Sequence, residues 1–254
     1  MSYRAITVPT MRSVRWLGFY AVILLAWLAI YQMARGGGDW LCGPDSLRLL
    51  PFGGFWALFP MWLVMIAAMM LPTLVPALRT YEDLPARSGA STEGWVGLVA
   101  GYAGVWALAS AGFALLQVWA LENGALDLTG VVSSRWLAAA LFALAGAYQF
   151  SKLKEACQNG CLTPMQYFIT RWRPSGLGGA RMGAGLGAMC VGCCWAIMAL
   201  GFVGGMTSLL WMGAATAFMV AEKLPQIGRH LRLPAGVGLM GTSVIIAMQA
   251  IELV

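Results

Sequence analysis

The sequence predicts an all-α protein: a polytopic transmembrane helix bundle of about seven helices, with its N-terminus on the cytoplasmic side. Composition is the first observation behind this. Hydrophobic residues make up 60% of the chain and charged residues 10%, with a mean hydropathy of +0.74, whereas a soluble domain carries about 25% charged residues. The second is segment length. Apolar runs recur at the roughly 20 residues that a hydrocarbon core about 30 Å thick requires of a helix. The third is the loop charge. With seven spans, thirteen Lys and Arg fall on one side and only Arg35, Arg48 and Arg135 on the other, and the basic side is the cytoplasmic one. The period-2 alternation of an outer-membrane barrel is absent.

Taken in order, the spans are residues 14–34, 55–78, 95–121, 135–152, 181–204, 206–224 and 235–253. The first is about 20 residues long and lacks a small-residue cleavage site, which predicts a retained helix rather than a signal peptide. An outer loop of turn formers follows at residues 36–44 and holds Cys42, a small apolar residue or an intermolecular disulfide partner. The second span contains Pro60, Pro72 and Pro76, which should bend it and free carbonyls for other partners. After a polar inner loop at residues 84–91, the third span carries Gly97/Gly101, a spacing that lets helix backbones approach closely.

The fourth span is short. Residues 152–179 then form the longest inner connection, in which residues 166–172 are too few to cross and should place Tyr167, Phe168 and Trp172 near the headgroups. The fifth span carries Gly183/Gly187, and Gly201/Gly205 continue the same small-residue spacing. The sixth ends in Glu222 and Lys223. Glu222 is expected to pair with a basic neighbour and Lys223 to snorkel to the inner surface. His230, the one histidine, belongs to a basic inner loop and reads as solvated. The whole chain, residues 1–254, reads as one integral membrane domain, multi-pass in a bacterial inner membrane and in contact with the lipid bilayer.

The cysteines carry the chemistry. Five of the six lie between Cys157 and Cys194. In Cys190-Val191-Gly192-Cys193-Cys194-Trp195 the i, i+3, i+4 spacing puts three thiols on one helix face, with Met198 one turn further along. Cys157 and Cys161 share a face at i, i+4. Any one cysteine reads equally as a small buried hydrophobe. Two helix-spaced groups so near each other favour metal binding over thiol redox chemistry and over packing. Thiolates are soft ligands that select Cu(I) or zinc, and thioethers suit Cu(I). Met61, Met65, Met69 and Met70 on the second span, Met182 and Met198 on the fifth, and Met206, Met212 and Met219 on the sixth add such thioethers. Cu(I) is therefore the expected ion, with Zn(II) as the alternative.

Depth leaves two arrangements. At 1.5 Å per residue, Cys190 lies about 13 Å and Cys194 about 20 Å into the fifth helix. If the fourth span stops at the interface, the two cysteine groups form two sites. If residues 157–164 fold inward, four thiolates could enclose one ion. The metal-site region is residues 148–224 in either case. There is no nucleotide-binding glycine loop and no Ser/His/Asp set, so no ATPase machinery is encoded. The basic residues lack the interleaved aromatics of a single-strand nucleic-acid track.

Several motifs resemble an uncharacterised bacterial family of predicted metal-binding integral membrane proteins, some of them labelled copper chaperones. They are Met65-Ile66-Ala67-Ala68-Met69-Met70-Leu71-Pro72, Tyr148-Gln149 with Lys154, Cys157-x₃-Cys161, Cys190-x-Gly-Cys-Cys-Trp195, Gly205-Met206, Trp211-Met212 and Glu222-Lys223. The resemblance covers roughly residues 59–241. It implies Cys157, Cys161, Cys190, Cys193 and Cys194 as ligands. Many members have a histidine four residues before the first cysteine of the core, where this chain has Leu186, which leaves an all-sulfur site. The reading that follows is a non-enzymatic, membrane-embedded protein that handles or delivers copper, with a copper donor or a membrane cuproenzyme as partner. A membrane thiol oxidoreductase pairing Cys157/Cys161 with Cys193/Cys194 is the runner-up, and a structural subunit whose cysteines only pack is the third reading.

Overall fold

A computed structural model describes residues 11–35, 53–84, 91–127, 129–206, 208–224 and 226–252. The Cys42 loop, most of the loop at residues 84–91 and the last two residues lie outside the described residues. Among the described residues the regular structure is helical, apart from one isolated bridge between Leu126 and Val132. In chain order the helices are α1 (Met11–Ala34), α2 (Gly53–Asp83), α3 (Thr92–Glu122), α4 (Arg135–Gln149), α5 (Lys152–Leu162), α6 (Pro164–Arg171), α7 (Gly176–Ala199), α8 (Gly201–Gly204), α9 (Leu209–Glu222) and α10 (Gly228–Ile251).

Five stretches are long and apolar enough to cross a membrane: α1, α2, α3, α7 together with α8, and α10. This gives the chain the make-up of a multi-pass membrane protein. The fourth and sixth expected spans come out shorter. Helix α4 has 15 residues and α9 has 14, and at 1.5 Å per residue both stop well short of a hydrocarbon core about 30 Å thick. The fourth span breaks because Phe150 ends α4 and Ser151 turns extended, accepting the Lys154 amide as the N-cap of α5. Residues 152–171 are therefore not a loop outside the bundle. They are two helices packed on it, with α5 against α7 and α6 against α2.

This corrects the expectation for the aromatics of residues 166–172. Phe168 is fully buried and Tyr167 nearly so. Phe168 packs edge-on to Tyr81 and Trp172, and the Tyr167 hydroxyl donates to the Met182 carbonyl at 2.8 Å. The aromatic face of α6 thus meets protein.

The central seam runs between α3 and α7. Added Cβ atoms at Gly97 and Gly101 would strike the backbone of Gly176 and Ala180, and at Gly179 and Gly183 the backbone of Gly94 and Leu98. The expected close approach holds for Gly97/Gly101 and Gly183/Gly187. Gly201/Gly205 serve otherwise. Gly205 takes φ of 87° in the turn after α8, and Gly201 faces the Met206 sulfur of that same turn.

Helix α2 stays continuous through its three prolines. The Ala68 carbonyl, four residues before Pro72, receives the Trp27 indole N–H from α1 at 3.1 Å. The proline has no amide proton to give it. At the opposite end of the bundle from α5, the link from α3 to α4 is fixed by Asp127. Its Oδ1 accepts from the Thr129 hydroxyl at 2.6 Å and from the Thr129 and Val131 amides at 2.8 and 2.9 Å. These bonds, the hydroxyl's foremost, hold the carboxyl below its usual range.

Candidate metal centre

Helix α7 presents Cys190, Cys193 and Cys194 on one face, all three buried. Their sulfurs lie within 4.8 Å of one another, and Cys190 Sγ is 4.0 Å from Cys194 Sγ. Cys193 and Cys194 turn their thiols back to the Cys190 carbonyl, at 3.2 and 2.8 Å. Such back-bonding satisfies a thiol in the absence of a better partner. Cys190 has other company. Tyr102 Oη lies 3.0 Å and Lys223 Nζ 2.6 Å from its sulfur.

Packing explains how these groups reach one spot. The glycine seam draws α3 in until Tyr102 lies level with Gly187, one turn before Cys190. On α2, Thr73 donates to the Met70 carbonyl at 2.7 Å, and the Tyr102 hydroxyl donates to the same carbonyl at 3.1 Å. Lys223 Nζ donates to Thr73 Oγ1 at 2.8 Å. Met70, two residues before Pro72 and fully buried, brings its sulfur to 3.8 Å from Cys194 Sγ.

Helix α5 runs along α7 and carries the other cysteine pair with it. A Cβ at Gly192 would lie 2.6 Å from Cys157 Sγ, and Gly160 of α5 is closed over by Met189. Both glycines permit the contact, one from each side. Cys161 comes close to Cys193. The α5 cysteines thus lie against α7, next to its cysteine group. The three-sulfur cluster is on α7, and the α5 pair adjoins it through Cys193 and Gly192.

Polar groups surround this contact. Lys154 and Glu222 form an ion pair at 2.9 Å, both almost completely buried. Gln158 ties the end of α9 down by donating to the Glu222 and Gly228 carbonyls at 3.0 and 3.1 Å. The Tyr148 hydroxyl donates to the Gly192 carbonyl, and its ring lies edge-on to Trp195, 5.0 Å between centroids.

The expected pairing of Glu222 with a basic residue is observed, and His230 is exposed as expected. Lys223 does the opposite of snorkelling. It is 6% exposed, because α9 ends at the level of Cys190 and the side chain turns inward to the sulfur. Met198 lies buried one turn beyond Cys194, while the thioether that meets Cys194 is Met70. Tyr102 and Thr73 had no signal in the sequence. Lys223 had one: a charge at the end of an apolar segment.

The chemistry of the donor set fits a soft ion. The cluster supplies thiols and a neighbouring thioether, and among the described residues no histidine or carboxylate joins the three sulfurs. A family model described as PpoB2, a copper chaperone, matches residues 59–246, a stretch that includes every residue of the cluster and its surroundings. No curated protein and no solved structure matches the chain.

Proposed function

The chain belongs to the PpoB2 copper chaperone family, and from that premise we propose that it is a multi-pass protein of a bacterial inner membrane that binds Cu(I) through thiolates and passes it on. The observation that carries this is the buried trio Cys190, Cys193 and Cys194, with sulfurs within 4.8 Å of one another and Met70 beside them. Cys190 and Cys194 hold the ion. Cys157 and Cys161 on α5 load it, by thiolate exchange through Cys193, so that the ion is never released to water. Met198 supplies a further thioether along α7. The chain acts as a carrier, not an enzyme, as one integral membrane unit. It takes copper from a thiol-bearing donor inside and yields it to a membrane cuproenzyme. Charge bias in the loops supports seven spans, with the N-terminus cytoplasmic.

Anaerobic titration of the purified protein with Cu(I) against a chromophoric chelator tests the proposal. Tight binding that zinc does not displace is expected. Zinc held in preference to copper would refute it. The second reading, thiol redox exchange, draws on the contact between Cys161 and Cys193. It predicts a mass shift after alkylation of oxidised against reduced protein, which a carrier would not need.

A further inference from the structure

We propose that Lys223 is the fixed counter-cation of the copper site, and that its charge sets the bound form as one Cu(I) on two thiolates, Cys190 and Cys194. The inference rests on the copper reading above and adds to it which residue determines stoichiometry and preference for a monovalent ion.

The observations are geometric. Lys223 is buried, and its Nζ lies 2.6 Å from Cys190 Sγ and 2.8 Å from Thr73 Oγ1. Among the described residues no carboxylate pairs with it, since its neighbour Glu222 is taken by Lys154. A buried ammonium needs an anion close by, because an unpaired charge in a low-dielectric interior is costly. The cysteine sulfur is the group placed to provide it.

Charge counting then fixes the complex. Two thiols release two protons and Cu(I) brings one positive charge, so the sulfur–copper–sulfur unit carries one net negative charge. The Lys223 ammonium cancels it. A third thiolate would leave a negative charge uncancelled, so in the loaded form Cys193 stays outside the bound pair, its sulfur 3.2 Å from the Cys190 carbonyl. Zinc on the same two thiolates forms a neutral unit and leaves the Lys223 ammonium itself uncancelled. Zinc therefore needs the Cys193 thiolate as well, and copper does not.

The test uses the full chain, purified anaerobically in detergent, with affinities read by competition against a chromophoric Cu(I) chelator. Lys223→Gln keeps an N–H donor and removes only the charge, so a mere hydrogen-bonding role predicts little change. The counter-cation role predicts weaker Cu(I) binding by about a hundredfold, with Lys223→Arg retaining most of the affinity. Cys194→Met replaces a thiolate with a neutral thioether. It should weaken binding in the wild type and cost much less beside Lys223→Gln, where the site is then neutral without the lysine. Cys193→Ser leaves Lys223 in place and should weaken zinc binding far more than Cu(I) binding, which keeps the idea testable if lysine variants do not fold. Lys223→Gln binding as tightly as wild type, strict additivity with Cys194→Met, or loss of Cu(I) in Cys193→Ser as large as in Cys190→Ser would each overturn it. If the wild type takes up no Cu(I), the copper reading itself fails and this inference falls with it. If the wild type binds through Cys190 and Lys223→Gln binds equally well, only this inference fails.

Discussion

Cys194 Sγ lies 3.8 Å from Met70 Sδ, so the thiol face of α7 meets a thioether of α2 inside the bundle. Neither helix alone presents both groups. Met70 is fully buried, and replacing it with leucine keeps its volume while removing the sulfur. Met70→Leu should cost less than about 1.5 kcal/mol in stability and weaken Cu(I) binding by about tenfold, since the soft neutral donor is gone. Thermal unfolding in detergent and chelator competition measure the two effects separately. Unchanged copper affinity would make Met70 packing alone.

The seam between α3 and α7 positions Tyr102 for its contact with Cys190. A Cβ at Gly101 would lie 2.7 Å from the Ala180 carbonyl carbon, whereas Gly104 has open space. Gly101→Val should destabilise the protein by about 1–3 kcal/mol or more and weaken copper binding as α3 moves off. Gly104→Ala should be neutral or slightly stabilising. Equal melting temperatures for the two variants would show that the seam is not close-packed.

Lys154 and Glu222 form a buried pair at 2.9 Å. Removing one partner leaves an uncompensated charge, so Lys154→Met or Glu222→Gln should each cost about 3–5 kcal/mol, while replacing both by apolar residues should cost far less. Denaturation of the single and double variants checks this. Simple addition of the two single effects would contradict it.

How much of this was legible in the sequence depends on the scale of the interaction. Helix faces follow from local spacing, so the α7 cysteine face and the glycines at 97, 101, 183 and 187 were readable. The break near residues 150–151 was readable as well, since the apolar run stops at Phe150; the packing of the following polar helix onto α7 was not. That break lets α5 lie along α7 and brings Cys161 to Cys193. Tyr102, Thr73 and Lys223 reach Cys190 from three different helices or their ends, and no one-dimensional period encodes that convergence. Lys223 was misread for a related reason. Snorkelling assumes a helix that reaches the surface, and α9 ends at Glu222, at the depth of the sulfurs.

Orientation has its own check. The thirteen-to-three division of Lys and Arg predicts that a reporter after Val254 reads outside the cytoplasm and one inserted in the loop at residues 84–91 reads inside. A cytoplasmic C-terminus would mean that one of the short segments, α4 with α5 and α6 or α9, does not cross.

The most direct measurement is copper K-edge X-ray absorption on the anaerobically loaded protein, with the Cys190→Ser/Cys194→Ser double variant beside it. The account predicts Cu(I) in a low-coordinate shell of sulfur alone in the wild type, and loss of tight binding in the double variant. A shell dominated by oxygen or nitrogen, or full copper stoichiometry with unchanged affinity in the double variant, would contradict it.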